Sequence, residues 1–195
     1  MRKFYWLTLQ VFFYTFFFLL CNKTFAFENG SAGGYTNSPY DGLKCPACHS
    51  GLINSGNSIP GITSNIPASG YVPGQIYTIN ASILLNSITK FGFEITSEDA
   101  LNNKTGTILI TNSTETQLTN NTTAITHTSS GNTGINSKIW SFDWQAPATG
   151  TGSVEFFGSF VSANNNGNNN GDQVSTSSLS VSEFSPSPCA LILSN

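Results

Sequence analysis

The chain has 195 residues, only 9% of them charged, and a formal net charge of −3 at pH 7. A charge so weak and so sparse offers no electrostatic footprint for DNA or RNA, which excludes nucleic acid as a partner. With 4 cysteines and 2 histidines in the whole sequence, any place where the two types meet carries information about chemistry.

Residues 1–26 read as a secretory signal peptide. Arg2 and Lys3 give a short basic start, a stretch dominated by Phe, Leu, Val and Tyr runs to Cys21, and Thr24-Phe25-Ala26 leaves small residues before the polar Glu28-Asn29-Gly30. Phe18-Leu19-Leu20 lacks the small residue that lipid transfer to Cys21 would want, so Cys21 is expected to leave with the signal. The alternative, an uncleaved anchor, rests on an apolar run that approaches the ~20 residues needed to cross a bilayer. No second run of that length follows, and the expectation is a secreted or extracytoplasmic chain, on the cell surface or free of it, with no transmembrane span after the signal.

Residues 27–69 form an N-terminal segment and linker whose chemistry lies in Cys45-Pro46-Ala47-Cys48-His49. Covalent haem attachment requires this spacing: two thiols that reach the two vinyl groups of one porphyrin, and an imidazole immediately after them to ligate the iron. On composition, a histidine follows a given Cys-x-x-Cys only about once in a hundred cases. Two other readings stay open: a local Cys45–Cys48 disulfide in an oxidising compartment, and half of a zinc site. Ser50 to Ser69, rich in Ser, Asn, Gly and Pro, is expected to be mobile.

An all-β domain is predicted over residues 70–177. Ile76 to Ile83 alternates, with Tyr77, Ile79, Ala81 and Ile83 on one face, the pattern of a half-buried strand. Lys90 to Thr96 groups Phe91, Phe93 and Ile95 and leaves Gly92 where a backbone or ring comes close. Gly106 to Ile110, apolar on both faces, is expected to be interior. Trp140-Ser141-Phe142-Asp143-Trp144 sets aromatics at period two, a sandwich-core signature. Val154 to Phe160 follows a turn-rich connection and is expected to form a hairpin with the Trp strand. A last strand is placed at Gln173 to Ser177, after an Asn- and Gly-rich loop at residues 164–170 that reads as exposed and not as a binding tract. Residues 178–195 read as a flexible tail containing Cys189. The expected fold is an immunoglobulin-like antiparallel β-sandwich preceded by a short CxxCH-bearing segment.

Several ordered motifs, Gly33-Gly34-Tyr35-Thr36-Asn37-Ser38-Pro39, Cys45 to His49, Tyr71 to Tyr77, Phe91 to Thr96, Thr126-His127-Thr128-Ser129, Trp140 to Pro147 and Gly171-Asp172, resemble those of bacterial reelin-type (reeler-like) domains. The order is similar to that of secreted choice-of-anchor V domain proteins, over roughly Gly33 to Thr176. The resemblance implies an immunoglobulin-like sandwich outside the cell and no enzyme. It departs from the pattern at its end, because nothing after Thr176 looks like a sorting domain or anchor.

His127 is the second imidazole of the chain and, if haem is attached at Cys45 and Cys48 with His49 as proximal ligand, the candidate distal iron ligand. Two histidines on iron would suit electron transfer to a redox partner that the sequence does not name. The plainer reading leaves His127 hydrogen-bonding in a Thr- and Ser-rich loop. Asp143 and Asp172 would serve as a carboxylate pair only if the fold joined them, and no nucleophile has a base and an orienter, so no catalytic residue is assigned. The contrasting reading is a surface adhesion or glycan-binding module with Cys45 and Cys48 as a local disulfide.

Overall fold

A computed structural model describes residues 27–43, 45, 49 and 53–186. The signal segment 1–26 with Cys21, and Cys48, Cys189 and residues 187–195, lie outside the described residues. Nine strands are present among those described: β1 (Ile59–Ser64), β2 (Ile76–Leu84), β3 (Lys90–Asp99), β4 (Thr107–Leu109), β5 (Thr116–Thr119), β6 (Ala124–His127), β7 (Ser137–Gln145), β8 (Val154–Ala163) and β9 (Gln173–Val181). They form a four-stranded sheet in the order β1-β2-β7-β4 and a five-stranded sheet in the order β5-β6-β3-β8-β9. Every strand pairing is antiparallel.

The alternation read in β2 and β7 sends their large residues inward. Tyr77, Ile79, Ala81 and Ile83 are buried, as are Trp140, Phe142 and Trp144, and the register sets small Ala81 opposite Trp140. From the other sheet Phe93 stacks on Trp140 at 4.4 Å between ring centroids, and Phe156 meets Trp144 edge-on at 5.0 Å. Each buried ring contributes about 1.5–3 kcal/mol of transfer free energy. Neither indole N–H is left unmet: Trp140 donates to the Gly131 carbonyl at 2.7 Å and Trp144 to Ser97 Oγ at 3.1 Å. Gly106, at φ +71°, lies so close to Trp144 that an added Cβ would come within 2.2 Å of the indole nitrogen.

The structure differs from the sequence expectations at five places. The stretch expected to be a mobile linker contains β1, which escapes an alternation test because Pro60 and Gly61 interrupt it and Ile62 is its one buried residue. β4 is an edge strand and not an interior one, leaving Ile110 exposed just beyond it. β7 and β8 make no hairpin; they belong to opposite sheets, and residues 146–153 cross between them. His127 ends strand β6 and does not sit in a loop. β9 continues to Val181, past the expected start of the tail, and Glu183 then takes the Gly150 and Gly152 amides on its carboxylate.

β3 is buried on both faces, which its apolar alternation alone would not require. Its core face carries Phe91, Phe93 and Ile95; residues 27–43 cover the other. Glu94, fully buried, accepts the Gly34 N–H on Oε1 at 2.7 Å, and the Ser31 hydroxyl and Tyr35 N–H on Oε2 at 2.5 and 3.2 Å. Burial pushes its carboxyl above the ordinary range, and these three bonds pull the other way. Further along, Lys104 pairs with Asp41 at 2.8 Å and with Glu98 at 3.1 Å. The second contact is an ion pair without hydrogen-bond geometry at Glu98 Oε1.

Glu94→Gln removes the charge but turns an NH2 group against a backbone N–H whichever way the amide is placed. The expected outcome is a loss of about 1–3 kcal/mol in urea unfolding, with faster proteolytic cleavage within residues 27–43.

Candidate functional site

A cavity of about 720 Å³ opens at the end of the five-stranded sheet where β3 begins and β6 and β8 end. Its volume falls in the range of about 300–1,000 Å³ usual for cofactor-sized molecules. One wall is the segment that Glu94 holds, through Phe27, Gly30, Ser31 and Tyr35; the sheet supplies Phe91, Gly92, Phe93 and Val161. Cys45, His49 and His127 all line this one space. The three described members of the sequence-predicted site are therefore brought together. The fourth, Cys48, lies outside the described residues.

His49 donates its amide N–H to the Cys45 carbonyl at 2.9 Å, and both residues line the cavity. Cys45 is 9% exposed, packed with Val161 and Val174, and its sulfur lies 3.8 Å from the Tyr35 carbonyl oxygen. His49 Nδ1 is 2.7 Å from Asp172 Oδ2, and the Asp172 side chain is 1% exposed. A carboxylate can only accept, so His49 Nδ1 carries a proton, and in the neutral ring the lone pair is on Nε2. Carboxylates fix metal-ligating imidazoles in this way. Asp172 is itself held by the Asn164 amide on Oδ1 at 3.0 Å.

His127 is 8% exposed and has the opposite polarity. The Phe93 N–H donates to its Nδ1 at 3.3 Å. Thr126 Oγ1, also 3.3 Å away, already donates to the Phe93 carbonyl at 2.6 Å and accepts the Ser31 amide at 3.0 Å. Nδ1 is thus an acceptor, and the ring proton lies on Nε2. Burial is the main cause that pushes His127 down to about 4; the backbone contact with Phe93 opposes it, and His49 adds to the downward push. The ring occupies the space of an absent side chain: a Cβ on Gly92 would lie 2.7 Å from His127 Cε1. That is the close approach the sequence predicts at Gly92.

Sequence reasoning did not find the Asp172 partnership, and no spacing signal could have, since 123 residues separate it from His49. Asp143 and Asp172 do not form a carboxylate pair. Asp143 lies on β7 and accepts from Thr78 Oγ1 at 2.9 Å, whereas Asp172 serves His49. The Asn-rich loop, expected to take no part in binding, supplies Asn165, Gly167, Asn168 and Asn170 to the cavity rim. Its side chains cap successive backbone amides, Asn164 to Asn166, Asn166 to Asn168 and Asn168 to Asn170. Among the described residues no group of three or more His, Cys, Asp or Glu could hold a metal ion.

An antiparallel two-sheet sandwich with a cavity at one end, part-walled by an N-terminal segment, is the class of protein these features define. A family model described as the Reeler domain matches residues 47–166, and the chain belongs to that family. Two crystal structures of the human F-spondin reeler domain are similar to it, with 19% and 21% sequence identity and TM-scores of 0.50 and 0.52. They cover 69% and 68% of this chain and 94% of each of those domains. A further structure of the reelin-N domain of F-spondin matches with 21% identity and a TM-score of 0.50, covering 72% of this chain and 95% of that one. These likenesses show the fold. No curated protein matches by sequence. Among the described residues no helix is long and apolar enough to cross a membrane.

The fold favours a neutral His127, whereas an unfolded histidine titrates at about 6.5. Its contribution is complete above that pH and is lost as the pH falls toward about 4. Urea unfolding from about pH 7 to about pH 4.5 should therefore weaken the wild type more than His127→Gln, by up to about 1.4 kcal/mol per pH unit.

Proposed function

We propose that this chain is an extracytoplasmic reeler-domain protein that carries one covalently attached c-type haem. In this reading Cys45 and Cys48 supply the thioether sulfurs and His49 the axial nitrogen. The observation that carries it is the convergence on one cavity of Cys45, His49 and His127, with Asp172 engaging His49 through Nδ1 and not Nε2. The lining suits a porphyrin. Phe27, Phe91, Phe93 and Val161 offer apolar surface, and Lys90 brings a cation to the same rim, bonded to Asn132 at 2.8 Å and suited to a propionate. Bound haem would supply a redox-active iron, and transfer of electrons to a partner outside the cytoplasm is the role that follows if both axial positions are filled.

The same proposal takes the sandwich as immunoglobulin-like, places the chain with the secreted bacterial reeler proteins, and assigns it no catalytic residues. Family membership alone favours a second reading, a non-catalytic surface module in which Cys45 and Cys48 form a local disulfide and the sandwich binds a surface component or glycan.

Expression with haem-attachment machinery, followed by absorbance and a haem-stained denaturing gel, separates the two. The expected result is a Soret band with haem that stays on the denatured chain, and weakened retention in Cys45→Ser. A colourless protein whose Cys45 and Cys48 resist alkylation overturns the haem reading in favour of the module.

A further inference from the structure

The two imidazoles in the cavity are prepared for different tasks. Asp172 keeps a proton on His49 Nδ1, so the neutral ring has its lone pair on Nε2; the Phe93 amide occupies His127 Nδ1, so the neutral ring there has its hydrogen on Nε2. An Nε2–H donates and does not coordinate. For His127 to ligate iron, the Phe93 amide would have to lose its acceptor and the ring its present tautomer. The ring is also fixed in place: Gly92 lies against Cε1, and the rings of Phe93 and Trp140 stand 6.4 and 6.5 Å away between centroids.

We infer that His127 is not an iron ligand but the hydrogen-bond donor to a small diatomic molecule that binds on the open axial face of the haem. The inference rests on the haem reading and corrects one part of it, the assignment of His127 as distal ligand with electron transfer as its consequence. A buried N–H suits a ligand whose outer atom gains partial negative charge on binding, and His127 is buried with its Nδ1 taken by the Phe93 amide. Asp172 is the matching positioning residue on the other imidazole: it engages His49 through Nδ1 and would leave Nε2 for the iron.

The test uses the full chain with haem attached, reduced by dithionite, with carbon monoxide as the probe. The expected spectrum before the gas is five-coordinate and high-spin, and carbon monoxide shifts the Soret band. The C–O stretch should rise by several wavenumbers in His127→Leu, because the donor that drew electron density onto the ligand oxygen is gone. His127→Gln, which keeps an N–H, should stay close to the wild type. A shift of the iron–ligand vibration between H2O and D2O in the wild type makes the same test without any variant. Three results overturn the inference while leaving the haem reading standing: a low-spin six-coordinate wild type that His127→Leu turns high-spin, a C–O stretch that His127→Leu does not move, or an iron–ligand vibration insensitive to D2O. Absence of haem on the stained denaturing gel overturns the haem reading, and this inference with it.

Discussion

Glu94 is a carboxylate without solvent, and its two oxygens take three donors from a segment about sixty residues upstream in the chain. A buried charge is costly unless its oxygens are satisfied, so the arrangement works in both directions. The N-terminal segment needs the carboxylate to hold it against the sheet, and the carboxylate needs the segment to be tolerable there. The cavity depends on this contact among others, since the segment forms one of its walls and is also held by Gln117, Thr119, Thr126 and Lys104.

The sheet contributes the complementary half of the site through small residues. Gly92 gives up its side-chain volume to the His127 ring, and Val161 stands beside it in the β3–β8 register. Backbone and carboxylate neighbours then determine where the proton sits on each imidazole. Two histidines of identical composition thereby acquire different chemistry from one hydrogen bond each, which is how a common scaffold acquires a site without altering its core.

The strands with clean alternation, β2 and β7, were legible in the sequence because each has one face to bury and one to expose. β3 was legible as a strand, yet its second buried face was not, because the segment that covers it has no periodicity of its own. β1, β5 and β6 are short or interrupted, and in each the inward residues are too few for a period to emerge. That Cys45 and His49 stand together could be read because they lie four positions apart in the chain. Asp172 and the donor polarity of His127 could not, because both depend on contacts between segments far apart in the chain. Nothing in Ile125-Thr126-His127-Thr128 says which ring nitrogen faces an amide.

The long span between His49 and Asp172 also imposes an order on assembly. The carboxylate that captures the His49 imidazole becomes available 123 residues after it in synthesis, and Val161 and Val174, which enclose the Cys45 sulfur, come late as well. Until β8 and β9 have paired, the thiol has no apolar surroundings to enter; once they have, it is only 9% exposed. Non-local sheet pairing of this sort closes slowly compared with local turns. The surroundings of that thiol therefore change in the course of folding: solvent reaches it in the incompletely folded chain, and the finished sandwich encloses it.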